Sequence, residues 1–218
     1  MTQPEQIIQR SPEWFAFRLG KVSASRVADV MAKTKSGPAA SRTNYMMQLL
    51  CERLTGNREE SYVNAAMQRG TDLEAVARSA YEIATGGMVV ECGSFAHSDL
   101  PSFIASPDGL IGEDGCLEIK MLNTASHVEF IRSRKPKPEH YKQMQAQMAC
   151  TGREWCDHVL FDDRLPEQLQ YRCVRVNRDD AFIADMLAQI RAFLIELDDL
   201  ETEMLHEMSN AALAAKEE

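Results

Sequence analysis

The strongest constraint on this chain is a short stretch in which charged residues sit inside strands that otherwise read as half-buried. Ser106-Pro107-Asp108-Gly109-Leu110 is followed by the turn signal Asp114-Gly115 and then by Cys116-Leu117-Glu118-Ile119-Lys120, so a tight hairpin is predicted. Side chains two apart on a strand share a face, which puts Glu118 and Lys120 together, and the adjoining arm brings Asp108 beside Glu118. The neighbours Phe103-Ile104-Ala105 and Cys116-Leu117 are apolar, and ionised groups without partners are costly in such surroundings. Two carboxylates suit a hard divalent cation such as Mg2+, with water and substrate phosphate completing its shell. A lysine beside the ion orients or deprotonates an attacking water and offsets charge on the phosphate. As three residues alone the string is short, and a plain turn with a wet cross-strand pair accounts for it equally well.

The rest of the 218-residue chain reads as one domain built around that hairpin. With 44% hydrophobic and 26% charged residues, it falls outside the disordered, fibrous and low-complexity classes. No stretch approaches the about 20 apolar residues of a membrane span. Met1-Thr2-Gln3-Pro4-Glu5 has neither a basic nor an apolar leader character, so no membrane contact and a cytoplasmic location are expected. Helices are predicted over residues 13–33, interrupted near Gly20 and capped at Ser23 or Ser25, with Lys35-Ser36-Gly37-Pro38 as the break. Further helices are predicted from Arg42 to Leu54, from Asn64 to about Ala84, from Pro138 to Gly152, and from Asp179 onward. Strands are predicted at Met88–Val90, Ser102–Ile104, Cys116–Ile119, His158–Phe161 and Leu169–Val176. That order implies an α/β fold of mixed α+β type, with a central mixed sheet flanked by helices. The stripe of Ile183, Ile190, Leu197 and Met204 beside Met186, Phe193 and Leu200 is expected to cover the domain's own sheet.

A net charge of −9 argues on its face against a nucleic-acid partner, because phosphate contacts require Lys and Arg. The charges are unevenly placed. Arg18, Lys21, Arg26, Lys33, Lys35 and Arg42 fall close together, Arg132-Ser133-Arg134-Lys135-Pro136-Lys137 forms a second basic run, and acids dominate the C-terminal segment. By itself the second run reads as a solvated loop, since Pro136 and Pro138 forbid a regular helix there. The six cysteines hold no CxxC pair and the five histidines no HxxxH spacing, so neither a disulfide framework nor a zinc cage is suggested and a zinc hydrolase is not supported. His140 and Tyr141 are expected to pack the start of their helix, and Met144, Met148, Met186 and Met204 to fill core.

Four blocks in order then carry a resemblance: Trp14-Phe15-Ala16-Phe17-Arg18-Leu19-Gly20 with Ser23-Ala24-Ser25; Arg69-Gly70-Thr71-Asp72-Leu73-Glu74; the Ser106–Lys120 hairpin; and Gln143-Met144-Gln145-Ala146-Gln147-Met148. Over about residues 11–180 the chain resembles the PD-(D/E)XK nucleases, and within them the lambda exonuclease and YqaJ-type viral recombinase group. The resemblance implies a restriction-endonuclease-like core in a single nuclease domain. Its DNA-binding helices would span about 11–85, its catalytic core about 88–176 and its C-terminal helix about 179–208. It also implies a 5′-to-3′ exonuclease that processively digests one strand of linear double-stranded DNA to 5′-mononucleotides. Mg2+ is the implied cofactor, two ions per site, with Mn2+ as a substitute. The 3′ single strand left behind would serve recombination with a single-strand annealing protein, and the enzyme would be a homotrimeric ring. A basic channel inside an acidic ring is compatible with the net charge.

By the same resemblance Asp108, Glu118 and the carbonyl of Ile119 hold metal, Lys120 is the catalytic lysine, Glu74 is an additional acid and Gln145 packs against the site. Arg18, Ser25 and Ser106 match a pocket for a terminal 5′-phosphate, a role that suits a guanidinium and hydroxyls. Met67 matches an apolar wedge and Lys35 a side chain following the duplex groove. From the residues alone, Glu74 equally reads as a surface glutamate, Gln145 as a helical polar residue, Arg18 as a snorkelling helix residue, Ser25 as a cap, Met67 as core and Lys35 as an exposed loop lysine. The chain departs from the pattern at Ser126-His127, where the family has an arginine, and Arg132 or Arg134 is the candidate replacement. Two other readings share these residues: an endonuclease or repair nuclease, and a non-catalytic DNA-end-binding subunit. An iron-sulfur version of the repair enzyme needs closely spaced cysteines near the C-terminus, and none follows Cys173. Intact Asp108, Glu118 and Lys120 argue against the binding-only reading.

Overall fold

Capping chemistry sets the first elements of the computed structural model, which describes residues 7–58 and 65–214. Ser11 accepts a hydrogen bond from the Trp14 N–H, and Pro12 occupies the first turn of α1 (Pro12–Arg18). Gly20, at φ 64°, supplies the left-handed turn that leads into β1 (Val22–Ser23), a 3-10 turn (Ala24–Arg26) and α2 (Val27–Val30). A small hairpin of β2 (Lys33–Thr34) and β3 (Gly37–Pro38) precedes α3 (Ala40–Thr55), which stops at left-handed Gly56. After α4 (Ala65–Thr85) come β4 (Val89–Val90), β5 (Phe95–His97), β6 (Leu100–Ala105), β7 (Gly109–Ile111) and β8 (Gly115–Lys120). The chain continues through α5 (Thr124–Ser133), α6 (Pro138–Thr151), β9 (Trp155–Phe161), α7 (Glu167–Gln170), β10 (Tyr171–Asn177) and α8 (Asp180–Ala214).

The main sheet runs β10-β9-β8-β7-β4, with β8 parallel to β9 and the other neighbours antiparallel. A second sheet, β1-β6-β5, pairs β1 parallel and β5 antiparallel to β6. Both faces of the main sheet are covered. Leu117, Ile119, Val159 and Phe161 pack against Ala77 and Tyr81 of α4, whereas Cys116 and Cys156 meet Met144 and Met148 of α6. A sheet buried on both faces tolerates a charge only where partners are built for it. The largest apolar cluster joins α2, α3, α8 and β6 through Val27, Tyr45, Leu49, Phe103, Met186, Ile190 and Phe193.

The mixed sheet between helices matches the sequence expectation, as do the breaks at Gly20, Gly56 and Gly152. Five details differ. Between the Gly20 break and the second helix the chain extends as β1, which pairs with β6; the second helix is a 3-10 turn and the short α2, and Ser23 makes no side-chain cap. Lys35-Ser36-Gly37-Pro38 forms part of a hairpin rather than a simple break. The basic run is not all loop: α5, capped by the Asn123 side chain, carries Arg132 and Ser133 before Arg134 ends it in the left-handed region. Residues 167–170, whose last two fall in the predicted last strand, form a helical turn behind Pro166. The α8 stripe does cover its own domain, but mostly through α3, α6 and α2, with β6 as its contact to a sheet. Residue 64, the predicted start of the fourth helix, lies outside the described residues.

Asp162, fully buried at the end of β9, ties three elements together. Its carboxylate accepts from Thr124 Oγ1 of α5 (2.8 Å), Arg69 Nη2 of α4 (3.0 Å) and Arg164 Nε (2.7 Å). Burial raises its pKa, but the bonds from Arg164 and Thr124 outweigh that and hold it below the ordinary range. Asp162→Ala is expected to lower stability by about 2–4 kcal/mol, because it strands three donors. Urea unfolding checks this, and in the wild-type protein the contribution should fade as pH drops from the ordinary carboxylate range down toward the lowered folded value.

Candidate active site

The hairpin does what its sequence required. Gly109 pairs with Leu117 across β7 and β8, and the Asp108 N–H donates to the Leu117 carbonyl at 3.0 Å. A side chain at Gly109 would start 2.2 Å from Val89 Cγ1, so the residue after Asp108 must be glycine for β4 to close on β7. Asp108 Oδ2 accepts from the Ile119 N–H at 2.6 Å. Glu118, 1% exposed, holds Lys120 Nζ at 2.6 Å through Oε1. Both Glu118 oxygens also receive amide protons from α6: Gln143 Nε2 donates to Oε1 at 2.7 Å and Gln147 Nε2 donates to Oε2. The carboxylate is thereby fixed in position by one cation and two neutral donors.

The electrostatics are those of acids crowded together. Burial, and then the charge of Glu118, raise Asp108 well above the ordinary carboxyl range, against the opposing pull of Lys120 and the Ile119 N–H. Burial would lower Lys120, but Glu118 and Asp108 outweigh it and its ammonium is held more firmly than usual. Behind Lys120, His158 pairs in register with Glu118, and its ring lies 5.1 Å from that of His140. Burial keeps both imidazoles neutral, His158 pushed down to about 3 and His140 to about 4. His140 therefore packs the helix start, as its sequence position suggested.

Glu74, on α4, lines a cavity together with Asp108. Its carboxylate accepts from Arg10 Nη2 at 2.8 Å and from Arg78 Nη2 at 3.2 Å. A cavity of about 260 Å3 is bounded by Glu74, Arg78, Cys92, Asp108 and the arm Ile7–Arg10. Gln9 anchors that arm by donating to the carbonyls of Cys92 (3.0 Å) and Pro107 (2.8 Å). Among the described residues no three His, Cys, Asp or Glu side chains form a ready-made metal cage. The donor set nonetheless fits Mg2+, a hard ion that takes one or two carboxylates and keeps water and phosphate in its shell. Asp108 and Glu118 would hold it, and Glu74 borders the same cavity as Asp108.

Arg18, Ser25 and Ser106 are brought together. They line a niche of about 80 Å3 with Gln9, Trp14, Ser23, Ala24 and the two glutamines that hold Glu118. Arg18 Nη1 donates to Ser106 Oγ at 2.9 Å, and its guanidinium lies 4.1 Å from the Trp14 ring centre. Ser106 also meets Ser94 Oγ at 2.6 Å, and Ser25 meets Ser23 Oγ at 3.2 Å.

Other expected residues fall elsewhere. Gln145 is fully buried, but it faces away from Glu118: its Nε2 donates to the Asn177 carbonyl and its Oε1 accepts from the Asp179 N–H, both at 2.9 Å. The glutamines at the site are Gln143 and Gln147. The signal was the four-residue spacing, which puts those two on one helix face and Gln145 on another. His127 is buried with Nε2 on the Leu169 carbonyl at 3.0 Å, so that position gives the niche nothing. Arg132 and Arg134 are exposed at the end of α5, and Lys35 is exposed at the β2–β3 turn. The side chain of Met67 lies outside the described residues.

The comparisons with known proteins agree with this geometry. A family model, the YqaJ-like viral recombinase domain, matches residues 13–154. An alkaline exonuclease from Laribacter hongkongensis, LHK-Exo, is 55% identical, covering 92% of this chain and 100% of its own, with a TM-score of 0.86. Its complex with dAMP gives a TM-score of 0.87 at the same identity and coverage. A phage related exonuclease from Haemophilus somnus 129PT shares the fold at 16% identity and a TM-score of 0.70, covering 84% of this chain and 96% of that one. No curated protein sequence matches. With the family model spanning more than half of the chain and a 55% identical structure covering nearly all of it, this protein belongs to the YqaJ-like viral recombinase family.

Proposed function

We infer that this protein is a DNA-degrading enzyme, an exonuclease that hydrolyses one strand of linear duplex DNA from its 5′ end with Mg2+ as cofactor. The observation that carries the reading is the junction of Asp108, Glu118 and Lys120 with a phosphate-sized niche through shared glutamines, Gln143 and Gln147. A terminal 5′-phosphate in the niche would meet Arg18, Ser25 and Ser106, placing the next phosphate toward Asp108. The exonuclease activity of LHK-Exo and its binding of dAMP, a 5′-mononucleotide, support the same reading.

When bound, Mg2+ would supply Lewis-acid polarisation of the phosphate and a lowered pKa for the attacking water. Asp108, Glu118 and the Ile119 carbonyl would hold it, and two ions or Mn2+ would suit the same donors. Lys120, held as an ammonium, steers the water and balances charge building on the phosphate. Gln143 and Gln147 keep Glu118 from rotating. Water attacks phosphorus in line with the 3′-oxygen, which departs with a proton, so the released nucleotide keeps its 5′-phosphate. Processive action, a homotrimeric ring around DNA, pairing with a single-strand annealing protein and service to phage-type recombination complete the proposal, on family grounds. No helix among the described residues is long and apolar enough to cross a membrane.

The deciding assay is digestion of a linear duplex with one 5′-phosphorylated end, alongside a closed circle and an EDTA control. Mononucleotides should appear from the phosphorylated end with Mg2+ alone, the circle should survive, and Lys120→Ala should bind DNA without cutting it. Nicking of the circle, or cleavage by Lys120→Ala, would sink this reading. The two kinds of glutamine should separate as well. Gln147→Ala is expected to slow cleavage about 10–100-fold by loosening Glu118. Gln145→Ala should instead cost about 1–3 kcal/mol of stability and leave the turnover of folded protein intact; equal rate losses in both would contradict these roles.

The raised Asp108 also fixes a pH dependence. Its carboxyl keeps a proton at pH values where an ordinary aspartate has lost it, and a divalent ion must displace that proton. Ion binding therefore weakens as pH falls. The acidic limb of the pH–rate profile should lie above the ordinary carboxylate range and move to lower pH as Mg2+ is raised. A limb indifferent to Mg2+ concentration would show that Asp108 does not control it.

A further inference from the structure

The cavities of this protein adjoin one another in series. The catalytic cavity at Asp108 shares Gln9 with the phosphate niche, and the niche shares Trp14, Arg18, Ser23 and Ser25 with a third cavity of about 440 Å3. That third space has none of its walls in common with the catalytic cavity, and the niche, which shares walls with both, connects them. Its volume suits a small ligand. Its walls suit a nucleoside: Arg18 lies over Trp14 at 4.1 Å, Arg26 over Tyr45 at 4.2 Å and Arg58 over Phe15 at 4.8 Å. Guanidinium planes and aromatic rings both stack on bases with little regard to sequence. At one wall Gln48 and the buried carboxylate of Glu52 bond each other at 3.0 Å, and their other oxygens accept from Arg26 Nη1 and the Gly20 N–H, so this wall is already satisfied and the stacking groups carry the fit. The exonuclease mechanism has no use for this space, because a terminal 5′-phosphate in the niche ends the strand there.

We propose that this cavity is an upstream nucleoside subsite for DNA ends that lack a 5′-phosphate, resting on the exonuclease reading above. At a 5′-hydroxyl end the first nucleoside enters the cavity and the first internucleotide phosphate takes the niche of Arg18, Ser25 and Ser106. The second internucleotide phosphate then lies at Asp108 and Glu118. Water adds to its phosphorus, the P–O3′ bond to the second nucleoside breaks, and the 3′-oxygen leaves with a proton. The products are a dinucleotide with free 5′ and 3′ hydroxyls and a strand that now bears a 5′-phosphate. From that point digestion proceeds one nucleotide at a time. A single unphosphorylated end thus costs the enzyme one longer step rather than stopping it.

Mass spectrometry of the first products from two duplexes, identical except for a 5′-phosphate or a 5′-hydroxyl, tests this with Mg2+ and the full-length enzyme. The phosphorylated duplex should give mononucleotides only, and the hydroxyl duplex one dinucleotide per end followed by mononucleotides. A free nucleoside as the first product, or no release from the hydroxyl end while the phosphorylated end is digested, overturns the subsite and leaves the exonuclease reading standing. Failure to release mononucleotides from the phosphorylated duplex overturns both. Phe15→Ala, which removes one stacking wall, should slow release from the hydroxyl end about tenfold more than release from the phosphorylated end. Both rates come from one preparation, so a loss of folded enzyme cancels, and an equal effect on the two ends counts against the subsite.

Discussion

The arrangement of Glu118 is the interaction on which the rest of the site depends. An ionised carboxylate on a strand buried from both faces is stable only with its charge and lone pairs met. Here Lys120 supplies the cation from the same strand, and Gln143 and Gln147 supply amide protons from the helix that covers it. This requirement fixes the distance and rotation of α6 over β8. Gln145 then sets the other side of the helix by bonding the backbone at Asn177 and Asp179, where β10 gives way to α8. One helix therefore locks the acid, the last strand and the start of the long C-terminal helix at once.

The charge paradox of an acidic protein acting on DNA resolves in the same local terms. Several acids of α8 are neutralised within the fold: Glu196 holds Arg42 and Asp198 and Glu201 hold Arg53, both arginines on α3. Arg18, Lys21, Arg26 and Arg58 line one cavity beside the niche. A phosphate meets this local field rather than the net charge. The clustered carboxyl groups of Asp108, Glu118 and Glu74 face a different problem, since as anions they repel. Arg10 and Arg78 on Glu74, and Lys120 on Glu118, supply the compensating charge.

Much of this was legible in the sequence because it depends on neighbours along the chain. The hairpin that juxtaposes Asp108 and Glu118 follows from strand alternation and a tight turn, and Gly20, Gly56 and Gly152 mark breaks because few other residues adopt left-handed backbone readily. The mixed helix and strand order was enough to place a sheet between helices. Local pattern failed where a partner distant in sequence decided the outcome. Val22 and Ser23, expected between a helix break and a cap, extend as a strand because β6 is available as a parallel neighbour, and α5 was hidden by the prolines that follow it.

The sequence by itself determined which chemistry is present: two carboxylates and a lysine on one hairpin, an early cluster of basic and aromatic residues, and apolar strands that cannot host idle charge. Only the tertiary structure decided which glutamines reach Glu118, that Glu74 lines a cavity with Asp108 under two arginines, and that Arg18, Ser25 and Ser106 share one niche. The physical reason is range. Turns, caps and strand alternation act over a few residues, whereas the rotation of a helix over a sheet and the meeting of Arg18 with Ser106, 88 positions apart, are settled by packing the whole core.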